Sequence, residues 1–317
     1  SAFESMMEEK VRGRRRQLPA STRNEFLANL SRFSLSASNV AAQVRGDMRQ
    51  LKMPEVTIRD VESAAEDFEV VNQIEDAVEN WTSIIQSVLE SELERKPVGR
   101  SPLAEVEFWR DRGAVLLTLY EQLNMPAVKE VLEVLESAHS QIYSFYQQHM
   151  QELTSRTMEA KDNVKFLTTL ERHFKNISTG DLTIIQDTLP SMMNALRMVW
   201  IISRHYNVDE RMVPLMERIA NEIGDKISVK IDVKRSLRDP EMGGVNRAFK
   251  KVVREGENVC NKWKSTYFDV REKIEMSGRD ARWEFDKRKL FDRTTYMGDR
   301  CADIFQIVTV LEQFENI

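Results

Sequence analysis

The chain has only two cysteines, Cys260 and Cys301, too few for a disulfide framework and without the CxxC spacing of a zinc or redox site. They read as buried thiols of a protein in a reducing compartment. Eleven glycines and eight prolines in 317 residues leave few turns, so the elements should be long. Long apolar runs are missing too: the strongest, "MVWII" at Met198–Ile202, is far short of a membrane span. The start, "SAFESMMEEKVRGRRR", lacks the apolar core of a secretory signal. The expectation is a soluble intracellular protein, and a chain beginning at Ser1 reads as a piece of a longer one.

Motifs that carry chemistry are equally scarce. There is no GxxxxGK(S/T) loop, and "MGGV" at Met242–Val245 is too short to cradle a nucleotide. HExxH, paired-cysteine and calcium-loop patterns are missing. "ESAH", Glu136–His139, has the Glu-x-x-His spacing of di-iron helical bundles. His149, His173 and His205 lack a glutamate three positions earlier, so no second copy exists and a structural histidine is the better reading. Neither a serine nor a cysteine nucleophile is marked. Nucleic-acid binding has only "RGRRR", Arg12–Arg16, behind it, without zinc spacing or an aromatic binding motif.

"SPLAEVEFWRDR", Ser101–Arg112, offers Glu105 and Glu107 as a candidate acid pair. Residues two apart on a helix point roughly 200° apart, so these carboxylates cannot converge on one substrate atom. Glu107 is better placed to pair with Arg110. Ser101 suits an N-cap and Pro102 the first helical position, where no amide hydrogen is needed. Glu105 favours the positive helix end, and Val106, Trp109, Gly113, Leu116, Tyr120 and Leu123 line a buried side. The stretch reads as a helix start.

What is present in quantity is charge and helix former. Charged residues make up 31% of the chain, above the usual quarter, and abundant Glu, Lys, Arg, Leu and Met favour an all-α fold. Residues 1–53 carry ten basic and five acidic side chains, residues 55–96 three and twelve. A short basic run such as Arg12–Arg16 is most often a solvated arm. Helical periodicity runs from Thr22 towards Leu51, from Phe68 to Arg95, from Pro126 past Tyr143 and Tyr146, and from Asp181 to Tyr206 across Pro190. "PEVTIRDVESAAED" after Met53 reads as a connection. Asp209 should cap a shorter helix closed by Gly224. "KISVKIDVK" alternates Ile227, Val229, Ile231 and Val233 with polar residues, the period of a strand, which predicts a short extended segment near 226–234. Asp239 and Pro240 open the longest stripe, through Trp263 to Ile274, and a final helix runs from the "WEFDKRKLF" region to Ile317. The expected architecture is elongated bundles of long antiparallel helices.

The ordered motifs together resemble the N-terminal tail region of dynein heavy chains. "AVENWTSIIQSVL" carries Trp81. "GRSPLAEVEFWRDR" matches a "GPLxExxFWRxR" signature through Pro102, Leu103, Glu105, Phe108, Trp109, Arg110 and Arg112. "EAKDNVKFLTTLE", "MVWIISRHYNVDERMVPLMERIANEI" and "WEFDKRKLFDR", with Trp283, follow in order. The resemblance covers about Val71–Ile317; the chain departs from it at Arg100 and in "KISVKIDVK". The "EFWRDR" form is more similar to axonemal than to cytoplasmic heavy chains.

Periodicity and charge set residues 1–66 apart as an N-terminal helical segment with a basic start, and the resemblance implies residues 67–317 as the beginning of the tail's helical-bundle domain. It implies the cytoplasm and the axoneme of a cilium or flagellum as location, and as partners intermediate chains, light chains, other heavy chains and docking proteins on doublet microtubules. It implies no nucleic acid, no membrane, and no catalytic residue, cofactor or metal in this segment, since the motor's nucleotide modules lie far downstream. A helical tether or coat-type scaffold, and an all-α enzyme with a dispersed site, are the alternatives that the stripes alone leave open.

Overall fold

Helix starts and stops are set by which side chains can occupy the amides and carbonyls that a helix end leaves unpaired. The computed structural model describes residues 51–232, 247–277 and 282–315, and every regular element among them is helical. Asp60 opens α1 (Val61–Glu66) by accepting from the Ser63 amide at 2.9 Å. Asp67 follows α1 and caps α2 (Phe68–Glu94), accepting from Glu69 at 3.0 Å and Val70 at 3.3 Å. The expected plain connection before Phe68 therefore contains a helix, too short to display an apolar period. α2 buries Ile74, Val78, Trp81 and Ile85, with Val71 and Val88 packed at the edge of the core.

Ahead of α3 (Leu103–Leu123), Ser101 is a weak cap whose Oγ accepts from the Leu103 amide at 3.4 Å. Pro102 occupies the cap position itself rather than the first helical one. α4 (Pro126–Ser137) begins on its proline as expected but does not continue past Tyr143. His139 takes a φ of 54°, its amide donates to the Glu136 carbonyl at 3.1 Å, and the Ser140 amide donates to Leu135 at 3.1 Å. This is a left-handed helix cap built without glycine. Ser140 then caps α5 (Gln141–Leu167) through the Ile142 amide at 3.1 Å. A 3-10 turn, Thr168–Leu170, leads to α6 (Glu171–Thr179), α7 (Leu182–Ile202, with Pro190 inside it) and α8 (Asp209–Lys230). α9 (Arg247–Met276) and α10 (Lys287–Glu315) complete the described chain.

Two expectations about α8 are corrected. Asp209 is its first residue and makes no side-chain cap; Val208 stands before it. Gly224 lies inside α8, where a Cβ would stand 2.8 Å from Arg293 Nε, so this glycine admits a crossing side chain instead of ending the helix. The predicted extended segment is also helical, through Lys230. Ile227 and Ile231, four apart, share a buried face, while Val229 is 79% exposed. That face meets α9 at Gly256, where a Cβ would lie 3.1 Å from both isoleucines and 3.2 Å from Cys301 Sγ. Packing of this face, with no strand among the described residues to pair with it, overrides the period-2 pattern. Val233, Val245, the helix expected after Thr22 and Arg12–Arg16 lie outside the described residues.

α9 and α10 run antiparallel, joined by Trp263 Nε1 to the Leu290 carbonyl at 3.0 Å and Lys250 to Glu312 at 2.6 Å. α2 and α5 run parallel: Ser140 donates to Glu75 at 2.6 Å, and Gln86 meets His149 at 2.8 Å. The buried side chains from Ala64 to Cys301 make one continuous apolar cluster, and the described residues from Leu51 onward form one compact unit. Among the described residues no helix is long and apolar enough to cross a membrane.

Candidate functional site

Glu105 and Glu107 diverge as their spacing requires: Glu105 is buried and Glu107 faces solvent. Glu105 is drawn inward because two donors meet it. Its Oε1 accepts from Trp109 Nε1 at 3.0 Å, one helical turn on, and from the Tyr206 hydroxyl at 3.0 Å. Burial, then the charge of Glu105, pushes the Tyr206 hydroxyl well above its ordinary pKa, so it remains a donor. Tyr206 is placed by the α7–α8 turn. Ser203 Oγ accepts from the Tyr206 amide at 2.9 Å and donates to Asp162 of α5 at 3.1 Å. Asp162 also takes the Arg204 amide at 3.2 Å.

Two guanidinium groups lie against the Trp109 ring, Arg211 of α8 at 5.0 Å and Arg112 at 5.3 Å. Arg112 also lies 5.8 Å from the Phe108 ring. Arg211 donates to the Glu159 carboxylate of α5 and to the His205 carbonyl. Burial raises the Glu159 pKa, but Arg211 and Arg156 outweigh it and hold the carboxyl below its usual value. Desolvation lowers the Arg112 pKa, opposed by the charges of Glu159 and Glu92.

The result is a polar joint across α3, α5, α8 and the α7–α8 turn. The donors and acceptors named are committed within the fold, apart from Arg112 and one carboxylate oxygen of Glu92. Such an arrangement fixes helices relative to one another; Glu105, held by two donors, is not presented to a substrate. Arg110 does not pair with Glu107 as expected. It reaches Glu171 on α6 at 2.9 Å, which also takes Lys175 at 2.8 Å.

The other signature residues lie elsewhere. Trp81 is fully buried in α2, donating to the Lys52 carbonyl at 2.9 Å. Pro102 is buried at the α3 start. Trp283 sits in the segment between α9 and α10, edge-on to Phe285 at 5.1 Å and to Trp200 at 6.4 Å. Glu105, Trp109 and Arg112 thus share one site, and Trp283 belongs to a separate aromatic cluster. Tyr206, Arg211 and Glu159 were not legible as site residues; only an unusual density of polar groups in "SRHYNVDER" between two apolar stripes hints at them. His139 serves as a helix cap, and Glu136 accepts from Tyr143 at 3.3 Å. No group of three or more potential metal ligands occurs among the described residues.

Comparison with known proteins agrees with the fold and the ordered motifs. Residues 71–317 match the family model "Dynein heavy chain, N-terminal region 1". The chain is 46% identical over 292 residues to the dynein-1-alpha heavy chain of the flagellar inner arm I1 complex of Chlamydomonas reinhardtii, covering 92% of this chain and 6% of that one. It is 42% identical over 297 residues to human dynein axonemal heavy chain 10, covering 93% and 6%. The Chlamydomonas dynein-1-beta heavy chain is 28% identical over 297 residues, again 93% and 6%. The chain therefore spans about 6% of the length of these relatives. With the signature helix, its buried joint and the later blocks all inside the matched range, the chain belongs to the dynein heavy chain family, as its N-terminal tail region.

Proposed function

We propose that this segment is a non-catalytic part of an axonemal dynein heavy-chain tail that helps assemble an arm and anchor it to the doublet microtubule. The relatives that support this reading are named as axonemal and flagellar heavy chains. Its setting is then the cytoplasm during assembly and the axoneme of a cilium or flagellum afterwards. Its partners are intermediate chains, light chains, other heavy chains and docking proteins. In this reading residues 1–66, with their basic start, lead into residues 67–317, the beginning of the tail bundle.

The observation that carries a mechanical role is the joint on Glu105, Trp109, Tyr206, Arg211 and Glu159. It ties three helices and a turn by directional bonds, so displacement of one element is opposed by several others. Charged outer faces add selectivity, because mismatched charges disfavour wrong contacts. The test is to place Trp109→Ala in the full-length heavy chain and count arms on isolated axonemes, with intermediate chains quantified alongside. Loss of arms with the motor's ATP turnover retained is expected. Full arm occupancy with a complete subunit set would overturn the assembly role and favour a passive tether.

A further inference from the structure

Two charged side chains beside the joint lack a full set of partners, and they stand on neighbouring helices. Arg112 of α3 has its guanidinium 5.3 Å from the Trp109 ring and 5.8 Å from the Phe108 ring. It makes no hydrogen bond or ion pair among the described residues. Glu92, in the last turn of α2, is only 4% exposed. Its Oε1 accepts from Arg95 at 2.7 Å, while its Oε2 is buried with no partner among the described residues. An unpaired buried carboxylate oxygen costs stability, and more so at a helix C-terminus, where the dipole already disfavours negative charge.

The fold turns the two towards each other. Arg112 shares a cleft of about 200 Å³ with Gln86, Leu89 and Leu93 of α2. Glu92 lies three positions after Leu89, one turn on along the same side of the helix, and is buried where Leu93 is exposed. The charges of Glu159 and Glu92 are the two that oppose the desolvation of Arg112. Glu159 already takes Arg211 on one oxygen and Arg156 on the other at 3.4 Å. Glu90 and Glu152 line the same cleft, but both are exposed, so water screens them from a guanidinium. Only Glu92 combines burial with an oxygen that no donor meets.

We propose that Arg112 is a latch with two positions: stacked on Trp109, or swung by its side chain alone to bridge Glu92 Oε2 and tie the end of α2 to the joint. In the stacked position the last turn of α2 is held by packing and by Arg95, which follows it directly in the chain. In the bridged position that turn is fastened to α3, and movement of the joint carries α2 with it. Glu105 and Trp109 hold the joint together, and Arg112 decides whether α2 moves as part of it. The latch needs no partner chain and stands independently of the assembly role.

The test is amide hydrogen exchange on the full-length heavy chain, read by mass spectrometry over residues 88–94. Glu92→Gln and Arg112→Met should each speed exchange there by about tenfold, the loss of one hydrogen bond to a charged group. The double variant should exchange no faster than either single one, because both remove the same bond. Arg112→Lys can still reach a carboxylate, though without the fork of a guanidinium, and should recover part of the protection. Arg110→Met, which loses only the Glu171 pair, should leave α2 unchanged. Unaltered exchange in α9 would separate a released latch from a damaged fold. Without the bridge, Glu92→Gln merely relieves a buried unpaired charge, so slower or unchanged exchange in that variant would overturn the proposal. Single effects that multiply in the double variant would overturn it as well.

Discussion

At the α3–α5–α8 joint, distant parts of the chain are held by charges and shared protons; at the segment before α10, they are held by rings meeting mainly edge to face. Glu105 binds Tyr206, which lies 101 positions away, and Arg211 binds Glu159. Around residues 283–291, by contrast, Phe285 meets Trp200 at 4.8 Å and Phe291 meets Tyr267 at 5.2 Å, both edge-on. The polar contacts there are few: Tyr267 accepts from the Phe285 amide at 3.3 Å, and Trp200 donates to the Arg282 carbonyl. Both regions stabilise, but the first also dictates orientation, since hydrogen bonds are directional and buried charges tolerate no misplacement. Ring clusters tolerate substitution by another ring more readily.

The largest test of this contrast is a pair of tryptophan truncations. Trp109→Ala and Trp283→Ala should each lower unfolding free energy by about 3–5 kcal/mol in urea titrations. Phenylalanine should separate them. Trp283→Phe recovers most of the loss, because the Trp283 indole nitrogen has no partner among the described residues. Trp109→Phe removes one donor from Glu105 and should remain about 1–3 kcal/mol short. Equal recovery at both sites would abolish the distinction.

Arg211→Met comes next, at about 2–3 kcal/mol, below the usual figure for breaking a buried pair because Arg156 still answers Glu159. A double-mutant cycle with Glu159→Gln should return part of that loss; strict additivity would mean the pair is not coupled. The pH dependence sharpens the comparison further. Glu159 has a folded pKa below its ordinary 4.5, so its contribution is fully present above that pH and lost as pH falls through the lower folded value. The destabilisation by Arg211→Met should therefore shrink in acid, whereas that by Trp283→Ala relative to the parent should not.

Tyr206→Phe should cost about 1–2 kcal/mol at neutral pH. Its hydroxyl has a raised folded pKa, so this contribution holds below the ordinary value of 10.0 and is lost at higher pH. The smallest effect concerns the thiols. Burial first, with neighbouring acidic groups adding to it, pushes Cys260 up to about 12 and Cys301 to about 11. Both should resist iodoacetamide at pH 8 in the folded protein and react together on unfolding. Rapid labelling of either without loss of helix would show that the α9–α10 pair opens locally.

Much of the helical framework could be read from residue pattern because it is local. The apolar stripe through Ile74, Val78, Trp81 and Ile85 sets the buried face of α2, and Pro126 marks the start of α4. The break at His139 leaves no mark in the residue pattern because its left-handed cap uses neither glycine nor proline. The extension of α8 beyond Gly224 was hidden for a different reason: that glycine answers a side chain on α10, and Ile227 and Ile231 answer α9. Part of the site was visible as the signature residues Glu105, Trp109 and Arg112. Their separate roles were not, since a buried acceptor, a stacked indole and a cleft-facing cation share one short helical stretch.

By itself, then, the sequence determined the all-α fold, the buried faces of most helices and membership of an ordered motif set, because periodicity and capping act over a few residues. Only the tertiary structure decided that Glu105 meets Tyr206, that Trp109 carries two guanidinium groups, and that Arg112 is left facing a cleft. Those pairings depend on how helices far apart in the chain cross, and a crossing leaves no period to read.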